Sequence, residues 1–125
     1  AVKQQLSFDH IITACDKNNI GEIYLGFDYG SIVQLDRQGK ELLHTSELNL
    51  SGVSHVDASN RLKLMTFHRE QQIINYFNRF TNQTTSINMS DFTDQFIWRT
   101  CVVINNDLWF LTSDFLELIN YNPIT

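Results

Sequence analysis

The sequence has little of what several functional classes require. Its 9 Lys and Arg face 14 Asp and Glu, so the net charge is −5. Nucleic-acid binding depends on clustered basic residues that neutralise phosphates, and this balance argues against it. No run of eighteen apolar residues occurs, which argues against a transmembrane helix. At 125 residues, the chain is expected to form one small folded domain with neither a nucleic-acid partner nor a membrane span.

Cysteine and proline are also scarce. Cys15 and Cys101 lie in apolar runs and have neither metal-ligand nor Cys-x-x-Cys spacing. This context predicts buried and chemically inert thiols. A disulfide between them is the open alternative, and it requires an oxidising compartment and neighbouring strands. The single proline, Pro123, follows the last predicted strand, as expected for a residue that central strands exclude.

Short runs of β-branched, aromatic and aliphatic residues, separated by Gly, Asn, Asp and Ser, predict an almost entirely β chain. Propensity alone would permit a helix over 68–80, but the repeat described next aligns this segment with strands. The predicted strands are 10–15, 22–27, 31–36, 40–45, 52–57, 61–67, 72–79, 84–89, 96–104, 107–112 and 115–121.

Three segments of the chain share one pattern. A residue that tolerates positive φ precedes a charged residue and then an aliphatic strand start. The next strand ends in a bulky apolar residue followed by Asp or Asn. A period near forty residues with about four strands is typical of β-propeller blades. The opening residues are Gly21, Asn60 and Asn106, the strand starts are Ile23, Leu62 and Leu108, and the closing pairs are Leu35-Asp36, Phe77-Asn78 and Tyr121-Asn122.

The repeat predicts an all-β single domain, a partial β-propeller of about three four-stranded antiparallel blades. Blade 1 is expected at about 7–48, blade 2 at about 51–93 and an incomplete blade 3 at about 94–125. Three blades do not close a ring, so further blades or further copies must complete it. Residues 1–8 are expected to supply a ring-closing outer strand. The alternative fold is a β-sandwich of about ten strands.

The repeat resembles the blades of six-bladed propellers of the NHL and related types. A closer resemblance is to the N-terminal portion of a family of uncharacterised bacterial envelope propellers. It implies export to the periplasm or another extracytoplasmic part of the envelope, and it supplies no catalytic residues. The matching segments are Ser7-Phe8-Asp9, Asn60 to Glu70, Tyr76 to Phe80, Asn105 to Trp109, Asp114 to Leu116 and Tyr121-Asn122.

Motifs for catalysis and for cofactor or metal binding are missing or broken. The segment from Asp16 to Gly21 begins like an EF-hand loop, but Ile20 replaces an oxygen ligand and Phe27 replaces the bidentate Glu. No nucleophile elbow and no paired histidine motif occur. Glu70, Asp57 and Asn105 are candidate ligands for a metal in a propeller channel, with solvated turn residues as the alternative. The sequence therefore predicts no enzyme activity, no cofactor and no metal.

Candidate binding residues cluster in one polar hairpin and one strand. His68, Arg69 and Glu70 form a polar turn flanked by aromatic residues, and Arg99 directly follows Trp98. Trp and Arg are enriched at the centres of protein–protein interfaces. The alternative is that Trp98 and Trp109 pack between blades.

These observations predict a non-catalytic envelope propeller module that acts as a scaffold for an unidentified protein partner. The alternative function is small-molecule binding or metal-dependent hydrolysis at a channel site that needs further blades. A third hypothesis is self-assembly, with a homodimer formed through open blade edges.

Overall fold

The computed structural model describes residues 1–45, 50–60, 62–102 and 107–122. Within these ranges the strands form three antiparallel sheets, each a meander in which consecutive strands are neighbours. Blade 1 contains β1 (Ile12–Lys17), β2 (Ile23–Phe27), β3 (Ile32–Leu35) and β4 (Glu41–His44). Blade 2 contains β5 (His55–Asp57), β6 (Lys63–His68), β7 (Ile73–Asn78) and β8 (Gln83–Asn88). A 3-10 turn, Met89–Asp91, precedes blade 3, which contains β9 (Ile97–Val102), β10 (Leu108–Thr112) and β11 (Leu118–Tyr121).

The three sheets pack face to face in chain order, and a hydrophobic cluster fills each space between them. Between blades 1 and 2 lie Tyr24, Ile32, Val53, Val56, Ala58 and Leu64. Between blades 2 and 3 lie Met65, Phe67, Ile74, Tyr76, Met89, Ile97, Leu108 and Phe110. Blade 2 is thus covered on both faces, as a propeller blade is. The predicted partial propeller is confirmed, and the two-sheet sandwich is wrong.

Side-chain caps hold the hairpins that join the third and fourth strands. In blade 1, Oδ1 of Asp36 accepts hydrogen bonds from two backbone N–H groups of the turn, at 2.9 and 2.8 Å. Gly39 completes this turn with a φ of 87°, which glycine adopts without steric cost. In blade 2, Oδ1 of Asn78 accepts two such bonds, at 2.9 and 3.2 Å. The closing Asp or Asn of the repeat therefore fixes the turn to the outer strand in blades 1 and 2.

The strand over 73–78 confirms that 68–80 is not helical. The repeat alignment, however, is wrong at the start of blade 2. In blades 1 and 3 the predicted strand start pairs with the predicted closing residue, Ile23 with Leu35 and Leu108 with Tyr121. In blade 2 the closing residue Phe77 pairs with Leu64 and not with the predicted strand start Leu62. Nor does Asn60 have a positive φ. Its Oδ1 accepts a hydrogen bond from the N–H of Leu62 at 2.8 Å, so Asn is favoured there as a cap. Asn106 lies outside the described residues.

Most of the residues whose burial was predicted wrongly from the sequence lie on the two outermost faces of the described blades. We call the face of blade 1 that points away from blade 2 the leading face; it includes Leu25, Phe27, Val33 and Leu35. The trailing face is the side of blade 3 that points away from blade 2. Trp109 and Leu111 lie on it, because they alternate along β10 with the buried Leu108 and Phe110. Cys101 and Leu118 lie on it as well, because they pair with Trp109 and Leu111.

Both cysteines lie on these outer faces, so the prediction of buried thiols is wrong. Cys15 pairs with Leu25 on the leading face, and Cys101 pairs with Trp109 on the trailing face. Both are exposed and free, and no disulfide joins them. Trp109 is 36% exposed, because no described blade covers the trailing face. An apolar run alone does not show which side of a strand is covered.

Residues 1–8 form no strand and lie against blade 1. The side chain of Gln4 donates a hydrogen bond to the backbone oxygen of Gln38 at 2.9 Å. At the other end of the sheet, the rings of Phe8 and Phe27 lie 5.7 Å apart. The segment thus crosses the leading face from one hairpin end to the other. Its role as a ring-closing strand stays a prediction.

Among the described residues, no helix is long and apolar enough to cross a bilayer.

Candidate interaction site

The turn between β6 and β7 is held in place by Gln72. This residue has a φ of 56°, an unusual conformation for a residue other than glycine, and its N–H donates to the oxygen of Arg69 at 3.2 Å. Its side-chain amide then reaches blade 3. Oε1 accepts a hydrogen bond from the N–H of Ile97 at 2.7 Å, and Nε2 donates to the oxygen of Ile97 at 2.9 Å. The turn of blade 2 is therefore fastened to the first residue of β9.

This attachment brings Arg69 against Trp98. The Cζ atom of Arg69 lies 4.1 Å from the centre of the Trp98 ring, within cation–π range. Nε of Arg69 also donates a hydrogen bond to the backbone oxygen of Trp98 at 2.7 Å. Burial lowers the pKa of Arg69 from its usual value, and the charge of Arg99 lowers it further. The structure thus brings together three of the residues that the sequence indicated for binding.

Two apolar residues that the sequence analysis missed extend this surface. Phe115 lies in the turn between β10 and β11, and its ring meets the Trp98 ring edge-on at 6.2 Å. It is 61% exposed, and the adjacent Leu116 is 83% exposed. We call Arg69, Trp98, Arg99, Phe115 and Leu116 the Trp98 patch. The sequence gives little indication that Phe115 and Leu116 are exposed, because two apolar residues at this point favour the start of a strand, which was predicted over 115–121.

Asp114 shapes the turn that presents Phe115. Its Oδ1 accepts hydrogen bonds from the hydroxyl of Thr112 and from the N–H of Leu116. The Thr112 hydroxyl is the main cause of the lowered pKa of Asp114, and the Leu116 bond adds to it. Phe115 itself has a φ of 63°, a conformation that is strained for a bulky side chain. The capped turn therefore holds a large aromatic ring out in solvent.

His68 is part of the support beneath the turn and not of the exposed surface. It ends β6 and is fully buried. Its Nδ1 lies 2.8 Å from the backbone oxygen of Ser51, an acceptor, so Nδ1 carries the proton. Its Nε2 lies 3.0 Å from the hydroxyl of Thr66. The prediction that His68 lies in an exposed turn is therefore wrong, because the strand continues one residue further than the turn pattern indicates. Its role in binding stays a prediction.

Glu70 lies at the exposed tip of the same turn and borders an open cleft of about 530 Å³ between blades 1 and 2. The cleft is also lined by Asp28, Thr13, Ser51 and Ser54. Asp28 lies 3.9 Å from Nδ1 of His10. Arg69 also lines this cleft, so it borders both the cleft and the Trp98 ring, whereas Glu70 borders the cleft.

The three candidate metal ligands are not assembled into a site by the described part of the chain. Asp57 ends β5 at the opposite end of blade 2 from Glu70, and its Oδ1 accepts a hydrogen bond from the N–H of Ser59 at 2.9 Å. Asn105 lies outside the described residues. Over residues 1–45, 50–60, 62–102 and 107–122, no group of three or more His, Cys, Asp or Glu side chains is placed to hold a metal ion.

No known protein family and no curated protein sequence matches this chain. Solved structures do match it. A streptogramin B lyase superposes with a TM-score of 0.68 at 15% identity, over 96% of this chain and 43% of the lyase. A catalytically inactive virginiamycin B lyase from Staphylococcus aureus with quinupristin gives a TM-score of 0.70 at 13% identity, over 98% of this chain and 45% of that one. A protein of unknown function from Bacteroides caccae gives 0.65 at 12% identity, over 86% and 44%.

The chain spans less than half the length of these structures. Identities of this size establish the fold and no further property. Together with the three packed sheets, they show that the described residues form consecutive blades of a β-propeller.

Proposed function

We propose that this chain is a non-catalytic propeller module that serves as a scaffold for a protein partner, which docks on the Trp98 patch. The observation that carries the proposal is the stacking of Arg69 on Trp98, with Phe115 exposed beside them. Loops and turns on a rigid sheet scaffold are where binding residues concentrate. Trp and Arg are the residue types that most often dominate binding energy at protein interfaces.

The apolar part of the patch favours a macromolecular partner. Phe115 and Leu116 are adjacent, largely exposed and held by the capped turn at Asp114. A contiguous exposed apolar surface of this kind typically marks an interaction site. Because Phe115 is already ordered by its turn, its burial by a partner costs little further conformational entropy.

The charged part of the patch indicates which partner chemistry fits. Among the described residues, the ion pairs involve neither Arg69 nor Arg99. Both guanidinium groups lie close enough for the charge of Arg99 to lower the pKa of Arg69. A partner segment with an acidic side chain next to an apolar anchor would pair with the guanidinium groups and cover Phe115.

A peptide-display selection tests this function directly. A library of random displayed peptides is selected on the immobilised chain, and the recovered pool is then measured against Trp98→Ala. Phe80→Ala is the matched control, because Phe80 is also highly exposed but lies in the turn between β7 and β8 at the opposite end of blade 2. We expect peptides that combine Asp or Glu with an aromatic or aliphatic residue, and that lose binding only to Trp98→Ala. Equal binding to all three proteins would refute the patch as the docking site.

A second candidate function is small-molecule binding or metal-dependent hydrolysis at a channel site completed by further blades. The open cleft beside Glu70 and Asp28 favours it, since two carboxylates and several hydroxyl groups border one space. Metal binding to the folded state would raise the midpoint of thermal unfolding. An increase with Mg²⁺, Ca²⁺ or Zn²⁺ that EDTA reverses and Glu70→Gln abolishes would favour this function over the scaffold.

We also propose an extracytoplasmic location in the bacterial envelope, which rests on the resemblance to envelope propellers. Cell fractionation of the natural source tests it. Recovery of the protein with periplasmic or membrane-associated markers is expected, and recovery with cytoplasmic markers would contradict it.

A further inference from the structure

The leading face of blade 1 is apolar but is covered by a weakly attached segment. Leu25, Phe27, Val33 and Leu35 are all buried, although blade 2 lies on the other side of their sheet. The described segment that crosses this face is residues 4–8, which runs from Gln38 to Phe27. A four-residue extended span of about 13 Å matches the length of β3 beneath it.

This segment is held by side chains and not by a strand ladder. It makes contact through the Gln4 amide, through Leu6 against Gly39, and through the Phe8 ring. Among the described residues, no backbone–backbone hydrogen bond ties residues 1–8 to blade 1. An element with few buried contacts and no backbone hydrogen bonds opens at low free-energy cost.

The trailing face of blade 3 has the opposite character, because it is exposed. Its apolar residues lie beside two polar ones, Arg99 and Asn120, which pair with Leu111 and Trp109. Trp109 is 36% exposed and Leu118 is 65% exposed. The register shows what these residues correspond to in blade 2: Trp109 occupies the position of Met65, Leu111 that of Phe67, and Leu118 that of Ile74. In blade 2 these three positions are buried against blade 3.

The leading face has the matching set of positions. Ile23 corresponds to Leu108, Leu25 to Phe110, Val33 to Ile119 and Leu35 to Tyr121. The four corresponding residues of blade 3 pack against Met65, Phe67 and Ile74 of blade 2. The trailing face and the leading face therefore carry the two halves of one blade–blade contact, and within one set of three blades they point away from each other.

We propose that the trailing face of a second copy of this chain displaces residues 1–8 and packs on the leading face. Two copies placed head to tail in this way bring together six of the described sheets, a number within the range of about four to eight blades in propeller rings. The contact is heterologous, with blade 3 of each copy on blade 1 of the other, and it uses sheet faces instead of the open edges that the sequence suggested. The N-terminal segment is then a replaceable cover for a self-association surface.

The native cysteines report on this arrangement. In the existing blade contacts, the inner strands β1 and β5, and also β5 and β9, approach within 8 Å between Cα atoms. A head-to-tail contact would bring β9 of one copy beside β1 of the other in the same way. Cys101 and Cys15 are the exposed thiols on these two strands, so Cys101 of one copy would lie near Cys15 of the next.

The test is cross-linking with a short, flexible bis-maleimide, followed by denaturing electrophoresis. The unaltered chain is expected to give a covalent dimer. Cys15→Ser alone and Cys101→Ser alone are each expected to give none, and an equal mixture of the two variants is expected to restore it. A covalent dimer from either single variant alone would show a face-to-face contact and overturn the proposal.

Sedimentation equilibrium gives an independent readout of the same contact. The mass is expected to rise with concentration from 14.6 kDa to twice that value. Phe8→Ala, which weakens the cover, is expected to tighten association about threefold to tenfold, as the loss of one ring contact predicts. Trp109→Glu is expected to abolish association, whereas Phe80→Ala leaves it unchanged. A mass of 14.6 kDa at every concentration for both the unaltered chain and Phe8→Ala would overturn the proposal and assign the leading face to another occupant.

Discussion

The side-chain amide of Gln72 pairs with the backbone of Ile97 as a strand would, accepting from its N–H at 2.7 Å and donating to its oxygen at 2.9 Å. One side chain thus joins the turn of blade 2 to the inner strand of blade 3. It also fixes the distance between Arg69 and Trp98, which sit on the two joined segments. The geometry of the Trp98 patch therefore depends on Gln72, which is not one of the patch residues.

Replacement of Gln72 by Leu should destabilise the protein, because it leaves the buried Ile97 backbone groups without these partners. We expect the free energy of unfolding to fall by about 2–4 kcal/mol, the combined cost of two such losses. Urea unfolding followed by tryptophan fluorescence measures it. Gln83→Leu, at an exposed position on β8 of the same blade, is the matched control. Equal stability of the two variants would show that the amide does not join the blades.

Gly26 lies in close contact with Val53, which packs between blades 1 and 2. A Cβ atom added there would lie 2.5 Å from Cγ1 and 2.6 Å from Cβ of Val53. Gly26→Ala should therefore lower the free energy of unfolding by about 1–3 kcal/mol through overpacking. If the cause is this contact, Gly26→Ala combined with Val53→Ala should cost less than the sum of the two single changes in urea unfolding. Additive costs would place the strain elsewhere.

Much of the fold was predictable because strand ends carry chemical signatures. The closing pairs Leu35-Asp36 and Phe77-Asn78 occupy the same register in their blades, and the Asp or Asn caps the turn. The start of blade 2 was misaligned because Leu62 and Leu64 are both aliphatic and two residues apart. Side chains two apart point to the same face of a strand, so the pattern alone does not separate them.

The site was predictable in composition but not in geometry. Arg69 and Trp98 were both indicated by residue type, yet their contact spans 29 positions and depends on how two blades meet. The positive φ values of Gln72 and Phe115 carry no signature in the sequence, because neither residue type favours that region. His68 and the two cysteines were misplaced because burial depends on which blade face is covered, which alternation within one strand does not reveal.

Tyr76 is buried between blades 2 and 3, and burial raises its pKa to about 12, with the charge of Asp57 adding to the effect. Because the folded state holds this proton more tightly than the unfolded state, stability is present below the usual tyrosine pKa of about 10 and is lost as pH rises through about 12. Tyr76→Phe removes the ionising group. Its stability should therefore fall less between about pH 10 and 12 than that of the unaltered chain.

At neutral pH, Tyr76→Phe should be neutral or stabilising, because the Tyr76 hydroxyl is buried and has no hydrogen-bond partner among the described residues. Urea unfolding at pH 7 and at intervals from pH 9 to 12 measures both effects. Tyr121→Phe is the control, since Tyr121 is only partly buried. A clear loss of stability at pH 7 for Tyr76→Phe would show that the hydroxyl has a partner.

Two substitutions of Asp36, the turn cap of blade 1, distinguish its role as a hydrogen-bond acceptor from the effect of its charge. Asp36→Ala removes both hydrogen bonds to the turn N–H groups and should lower the free energy of unfolding by about 1 kcal/mol, since the site is exposed. Asp36→Asn keeps an oxygen acceptor, as Asn78 does at the same position of blade 2, and should retain most of the stability. Hydrogen exchange should show faster exchange for the amides of β4 in the Ala variant alone. If the Asn variant exchanged as fast as the Ala variant, the carboxylate charge, and not the cap geometry, would hold this hairpin together.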